Sequence, residues 1–64
     1  MHIDALQVGM FVLYVPPHAK GDRQHKDVER GTVVRKSNFE GSDIVFVLFE
    51  GDVHPKGCHA ADLK

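Results

Sequence analysis

The feature that most constrains the fold is IVFVLF at residues 44–49, a run of β-branched, aromatic and leucine side chains without a polar residue. A short apolar run of this composition between turn residues predicts a β-strand. Alternate side chains of a strand point to opposite faces. One face therefore holds Val45, Val47 and Phe49, and the other holds Ile44, Phe46 and Leu48. Because both faces are apolar, the strand does not fit a sheet with one face in water, where polar residues would alternate.

Three further segments predict strands by the same criteria of composition and flanking turn residues. They are residues 10–15, which Pro16 ends, residues 29–37, and a short stretch at 58–60. Gly31 in the second strand indicates a bulge or a close approach of two backbones. Gly41 indicates a hairpin turn with positive φ. Short strands, tight turns and one long loop at residues 16–28 predict an all-β fold, a small and strongly bent antiparallel barrel.

Residues 31–51, GTVVRKSNFEGSDIVFVLFEG, resemble the hairpin of KOW and Tudor domains, in which a glycine-led strand, a turn and a V-x-V-x-F strand follow one another. The matching residues are Gly31, Val33, Val45, Val47, Phe49 and Gly51. This resemblance covers about a third of the chain. The length of 64 residues predicts a single domain over residues 1–64. The resemblance implies that this domain is an SH3-like barrel of four to five strands with a long loop after the first strand.

A longer resemblance begins at YVPPHAKGD and continues through ERGTVV and VFV to Cys58 and the final DL. This order is similar to that of a group of small uncharacterised proteins encoded by phages and prophages. Their loop has the form P-x-H-A-x-G-D-x-x-H, carried here by Pro16, His18, Ala19, Gly21, Asp22 and His25. The group often has a cysteine three residues after the second histidine, where this chain has Val28. The resemblance implies a phage or prophage origin and no particular activity.

The charge balance and the single cysteine narrow the class of protein. With 8 Lys and Arg against 9 Asp and Glu, the net charge is -1. That balance argues against strong non-specific nucleic-acid binding, which rests on an excess of cations. Cys58 has no partner for a disulfide, which favours a reducing compartment. No apolar run is long enough to span a membrane and no signal peptide opens the chain, so we expect a cytoplasmic protein without membrane contact.

The polar loop at residues 16–28 is a candidate recognition surface, because loops on rigid scaffolds often build binding sites. Its candidate contact residues are His18, Lys20, Asp22, Arg23, His25 and Lys26. Arg35 and Lys36 would add a basic edge that meets phosphates, beside Tyr14 and Phe39 as stacking platforms for bases. The alternative is a solvated surface of mixed charge. Protonation of all five histidines would change the net charge from -1 to +4, so binding would respond to pH.

The outward faces of the strands form the second candidate surface. If Val45, Val47 and Phe49 fill the core, alternation places four apolar side chains outside: Phe11, Leu13, Phe46 and Leu48. A contiguous exposed patch of this kind marks the interface with a partner or with a second copy in a homodimer. The alternative is that the 16–28 loop or the N-terminal turn covers these residues.

A metal site and a nucleophilic cysteine are the alternatives to these binding surfaces. His18, His25 and Cys58 are candidate metal ligands, but structural zinc usually takes four ligands at a recognisable spacing and no C-x-x-C pair is present. Cys58 with His54 or His59 would form a nucleophile and base pair, yet no glycine-rich oxyanion element accompanies it. We therefore expect no catalytic residue, no metal and no cofactor.

The sequence favours a small non-enzymatic binding module that contacts a host protein or a nucleic acid through the loop and the outward strand faces. Methyl-lysine recognition, as in Tudor domains, needs an aromatic cage that one tyrosine, four phenylalanines and no tryptophan do not supply. The alternatives are a metal-binding protein that uses His and Cys, or an oligomeric barrel enzyme. A plasmid-borne dihydrofolate reductase, itself a tetramer of SH3-like barrels, is similar in size and in the layout of HP before a glycine, but its active-site residues have no counterparts here.

Overall fold

A computed structural model describes residues 1–64, apart from the side chain of Phe39. Four strands in chain order form one antiparallel sheet: β1 (Phe11–Tyr14), β2 (Glu29–Phe39), β3 (Ser42–Phe49) and β4 (Lys56–His59). Three 3-10 turns complete the regular structure, at Ile3–Ala5, Pro17–Ala19 and Ala60–Asp62. The prediction of an all-β fold is confirmed. The ladder of these four strands ends at β1 and β4, so the sheet is not closed into a barrel. No helix in the described residues is long and apolar enough to cross a membrane.

The hairpin between β2 and β3 is tighter than the sequence predicts. The expected turn at residues 38–43 shrinks to Glu40 and Gly41, whose φ angles are 51° and 80°. Two consecutive positive φ angles are what a two-residue type I′ turn requires, and its twist matches that of the flanking strands. Next to the turn, the Asn38 amide donates to a carboxylate oxygen of Asp43 (2.8 Å). The predicted positive φ at Gly41 is confirmed, whereas the left-handed Glu40 was not expected.

The inner face of β3 fills the core as predicted. Val45 and Val47 are completely buried and Phe49 is 4% exposed, while Leu48 between them is 37% exposed. Strands β1 and β2 and both ends of the chain supply the other buried members of this cluster, namely Leu6, Val12, Val33, Ala60 and Leu63. Burial of apolar side chains is the main favourable contribution to folding. The alternation read from residues 44–49 therefore assigns the core face correctly.

The chain after β4 crosses to the edge of β1 that β2 leaves free. Leu63 forms an isolated antiparallel bridge with Tyr14. The Leu13 N–H donates to the Lys64 carbonyl (3.0 Å), and the Lys64 N–H donates to the Leu13 carbonyl (2.8 Å). This contact places the buried side chain of Leu63 in the core and satisfies backbone groups that an edge strand would otherwise expose.

Gly31 lies where β2 and β3 approach closely. A methyl group in place of its hydrogen would lie 2.5 Å from Val47 Cγ1 and 2.8 Å from the Leu48 carbonyl oxygen. The predicted close approach is therefore confirmed. The bulge, which the sequence offered as the other explanation for this glycine, lies further along β2, where the register shifts between Val33 and Arg35.

Replacing Gly31 by alanine tests this contact. We expect Gly31→Ala to lower the free energy of unfolding by about 1–3 kcal/mol, because a backbone oxygen cannot move aside for the new methyl group. Urea denaturation measures the change. Gly57→Ala in β4 is the matched control, since its nearest neighbour is the Cγ2 methyl group of Ile44 at 3.3 Å and no backbone atom lies as close. Equal destabilisation by both substitutions would contradict the assignment.

Two adjacent residues of β3 test which face is buried. Val47→Asp places an unpaired carboxylate in the core. We expect it to unfold the domain, since a core of this size rarely supplies more than about 3–5 kcal/mol. Leu48→Lys changes an exposed position and should alter stability by no more than about 0.5 kcal/mol. The dispersion of amide signals in an NMR spectrum distinguishes the two results, and an unfolded Leu48→Lys variant would mean that the two faces are reversed.

Candidate functional site

The register of the sheet aligns two exposed apolar side chains across its outer face. Phe11 of β1 lies opposite Thr32 of β2, and Thr32 lies opposite Leu48 of β3. Phe11 is 73% exposed and Leu48 is 37% exposed. Because neighbouring strands lie about 4.8 Å apart, these three residues form one short row, called the outer row below. Neither the 16–28 loop nor the N-terminal turn buries Phe11, although the sequence left both as candidate covers.

The other two residues of the predicted apolar patch are less accessible. Phe46 is half-buried, and the guanidinium carbon of Arg35 lies 4.3 Å from the centre of its ring. This cation–π contact places a charged group over a face that would otherwise be apolar. Leu13 is half-buried too, opposite Arg30 in the ladder. The exposed apolar surface is therefore narrower than the sequence predicts.

A β-bulge at Val34 determines which residue of the predicted basic edge lies on the outer face, since adjacent residues of a strand point to opposite faces. Val33 pairs with Val47, but Arg35 pairs with Phe46, so Val34 is an extra residue that changes the phase of alternation. Arg35 consequently lies on the outer face. The ammonium group of Lys36 lies instead at the N-terminal segment, where it donates to the Leu6 carbonyl (2.7 Å) and approaches the Ile3 carbonyl (3.4 Å). The structure thus does not bring Arg35 and Lys36 together on one surface.

The 16–28 loop is a succession of tight turns. Backbone N–H groups donate to carbonyls three residues earlier at Ala19, Asp22, His25 and Val28. Ala19 is 5% exposed and fixes the first turn to the body of the domain. The carboxylate of Asp22 accepts from the Gln24 N–H (2.9 Å), so this predicted contact residue has a local structural role. Four of the other five predicted contact residues are exposed: His18, Lys20, Arg23 and Lys26.

These turns bring both loop histidines to Asp27. His18 Nε2 lies 2.6 Å from Asp27 Oδ2, and His25 Nδ1 lies 3.9 Å from the same oxygen. The two imidazole rings meet edge to face with their centres 5.2 Å apart. His25 Nδ1 also accepts from the Asp27 N–H (3.0 Å). We call His18, His25 and Asp27 the loop triad.

The sequence pointed to the two histidines of the loop triad but not to its carboxylate. Asp27 was not among the candidate contact residues. The pattern that could have found it is the short spacing H-x-D at residues 25–27, which a tight turn folds back on itself. Cys58, the third candidate ligand from the sequence, is not a member of this cluster.

Cys58 lies on β4 beside a cavity of about 240 Å³ that Tyr14, Glu29 and Asp62 also line. Burial raises the pKa of its thiol, and the nearby carboxylates of Glu29 and Asp62 raise it further against a smaller opposing effect of Lys56. Burial and Asp62 raise the pKa of the Tyr14 phenol as well. An activated cysteine has the opposite setting, with positive charge that stabilises its thiolate. The two neighbouring histidines in sequence, His54 and His59, are both exposed.

Comparisons of the chain with models of protein families, with curated proteins and with solved structures found no significant match.

The raised pKa of Cys58 predicts slow alkylation. The rate constant for reaction with iodoacetamide should rise with pH at a higher midpoint in the folded protein than in the urea-unfolded chain, because the folded state disfavours the thiolate. Mass spectrometry of quenched samples measures this rate. Glu29→Gln removes one of the charges that raise the pKa and should lower the midpoint part of the way. A folded-state midpoint below that of the unfolded chain would contradict the prediction.

Proposed function

We propose that this chain is a small non-enzymatic binding module whose outer row docks a protein partner. The observation that carries the proposal is Phe11, which is 73% exposed although it stands in a regular strand of the sheet. Leu48 extends this surface across Thr32. Aromatic residues are enriched in protein interfaces, and an exposed apolar group gains free energy when a partner covers it.

The proposed fold is an SH3-like barrel. Two features support it: the long loop between β1 and β2, and the path of the chain after β4, which makes a 3-10 turn and then pairs with β1 through Leu63. The phage or prophage origin implied by the loop pattern stays a prediction, and it makes a bacterial protein the expected partner.

Charge favours a protein partner over a nucleic acid. Nucleic-acid affinity rests on cations that neutralise phosphates. Lys36 is committed to the carbonyls of Leu6 and Ile3, and Arg35 lies over the Phe46 ring. The net charge of -1 supplies no compensating excess of cations elsewhere. Aromatic residues and arginine are enriched in protein interfaces, so the outer row, with Arg35 on the same face, fits a protein partner better than a nucleic acid.

Affinity capture from a bacterial lysate with three forms of the protein tests this function. We expect the wild type to retain a protein that nuclease treatment does not release. Phe11→Ser should weaken binding of that purified partner by about 2 kcal/mol or more, roughly thirtyfold in Kd, as for an interface hot spot. Isothermal titration calorimetry measures the Kd of each form for the partner.

Val8→Ser is the matched control, because Val8 is 67% exposed and precedes β1 outside the outer row. It should bind the partner as the wild type does. If both substitutions weaken binding equally, the outer row is not the interface. If nuclease removes the captured material, the partner is a nucleic acid and the proposal is wrong. Sedimentation of the purified protein reports in parallel whether the partner is a second copy of the chain.

A further inference from the structure

We propose that the loop triad is an exchangeable binding site for a divalent transition-metal ion, for which Zn²⁺ is the probe. His18, His25 and Asp27 each offer one ligand atom, and these atoms all lie within 4.8 Å of one another. Two imidazoles and a carboxylate form a ligand set that zinc takes in proteins. Ligands on a tetrahedral zinc at about 2.0–2.2 Å are roughly 3.3 Å apart, so small side-chain rotations are enough to close the site.

The carboxylate of Asp27 already draws the two imidazoles together. Its Oδ2 atom lies 2.6 Å from His18 Nε2 and 3.9 Å from His25 Nδ1. The shorter contact is a hydrogen bond in which His18 Nε2–H donates to the carboxylate oxygen. A metal ion takes the place of that proton between the same two atoms, since imidazole binds metals in its deprotonated form at the ligating nitrogen. The hydrogen bond between His18 and Asp27 therefore holds two of the three ligands together in the absence of a metal ion.

The third ligand has a competing interaction of modest strength. His25 Nδ1 accepts from the Asp27 N–H (3.0 Å), which a metal on Nδ1 would displace. A single neutral hydrogen bond contributes little net stability because water replaces the lost partner. The Asp27 amide belongs to an exposed segment, so water can reach it when the metal binds.

The exposure of the triad sets the kind of site. The side chains of His18, Asp27 and His25 are 61%, 47% and 28% exposed. Three protein ligands at an open surface leave at least one coordination position for water. Such a site exchanges its metal, unlike a closed site with four ligands. Binding would also connect the first turn of the loop, fixed by buried Ala19, to its last, and so hold the loop in one conformation.

Titration of tag-free protein with ZnCl₂ in a calorimeter tests the proposal. We expect one ion per chain for the wild type. His18→Gln, His25→Gln and Asp27→Asn should each weaken zinc binding at least about tenfold, since even outer partners of metal ligands cost that much when removed. MgCl₂ should not compete, because Mg²⁺ prefers oxygen ligands.

Two matched controls and a spectroscopic measurement distinguish zinc at the triad from zinc at other histidines. His54→Gln and His59→Gln remove exposed histidines outside the triad and should leave zinc affinity unchanged. In NMR spectra of the histidine rings, zinc should shift the signals of His18 and His25 and leave those of His2, His54 and His59 in place. Amide spectra of the variants verify that each remains folded.

Three results would overturn the proposal. One is zinc affinity of the wild type no higher than that of the triad variants. Another is an equal loss on removal of His54 or His59, which would assign the zinc to scattered surface histidines. The third is that zinc leaves the NMR signals of the His18 and His25 rings unshifted. Because the outer row takes no part in this experiment, failure of the metal site leaves the proposed docking function to its own test.

Discussion

The contact of Gly31 with Val47 and the Leu48 carbonyl is the constraint on which the rest of the sheet depends. Because Gly31 has no side chain, the backbones of β2 and β3 approach closely and the inner face of β3 stays free to fill the core. Val45, Val47 and Phe49 then contact residues from both ends of the chain, including Leu6 and Leu63. The absence of a side chain at Gly31 therefore contributes to the packing of this small core.

The bulge at Val34 determines which surface the sheet presents. One extra residue in β2 moves Arg35 to the outer face, where it covers Phe46, and moves Lys36 to the carbonyls of the N-terminal segment. Of the four residues of the predicted apolar patch, Phe11 and Leu48 are the ones that stay exposed, further along the strands. The position of Arg35 over Phe46 and the anchoring of the N-terminal turn by Lys36 therefore have one common cause.

The two candidate surfaces occupy opposite ends of β1. Phe11 begins that strand, and the loop that carries the triad starts just after its last residue, Tyr14. At about 3.4 Å per residue, four residues of strand separate them by more than 10 Å. Effects on docking and on metal binding should therefore be independent, as is usual for sites more than about 7–10 Å apart.

Much of the fold could be predicted from local patterns. Composition and turn residues located the strands to within one or two residues at most ends, and alternation in residues 44–49 assigned the buried face. Gly31 and Gly41 were identified because glycine at such positions has few alternatives. The candidate surfaces were predicted less well. Phe11 and Leu48 were found by alternation, but the pairing of Arg35 with Lys36 and of Cys58 with the loop histidines was not borne out in space.

The sequence by itself determined the β class, the core face and the loop boundaries, because these depend on the period of side chains along one strand and on the few residues that turns accept. Only the tertiary structure decided which faces Arg35 and Lys36 occupy. A bulge is defined by the register between two strands, and the alternation of residues along β2 alone does not reveal it. It also decided that Asp27 stands between His18 and His25. That meeting results from successive turns of the loop, whose geometry no single residue spacing specifies.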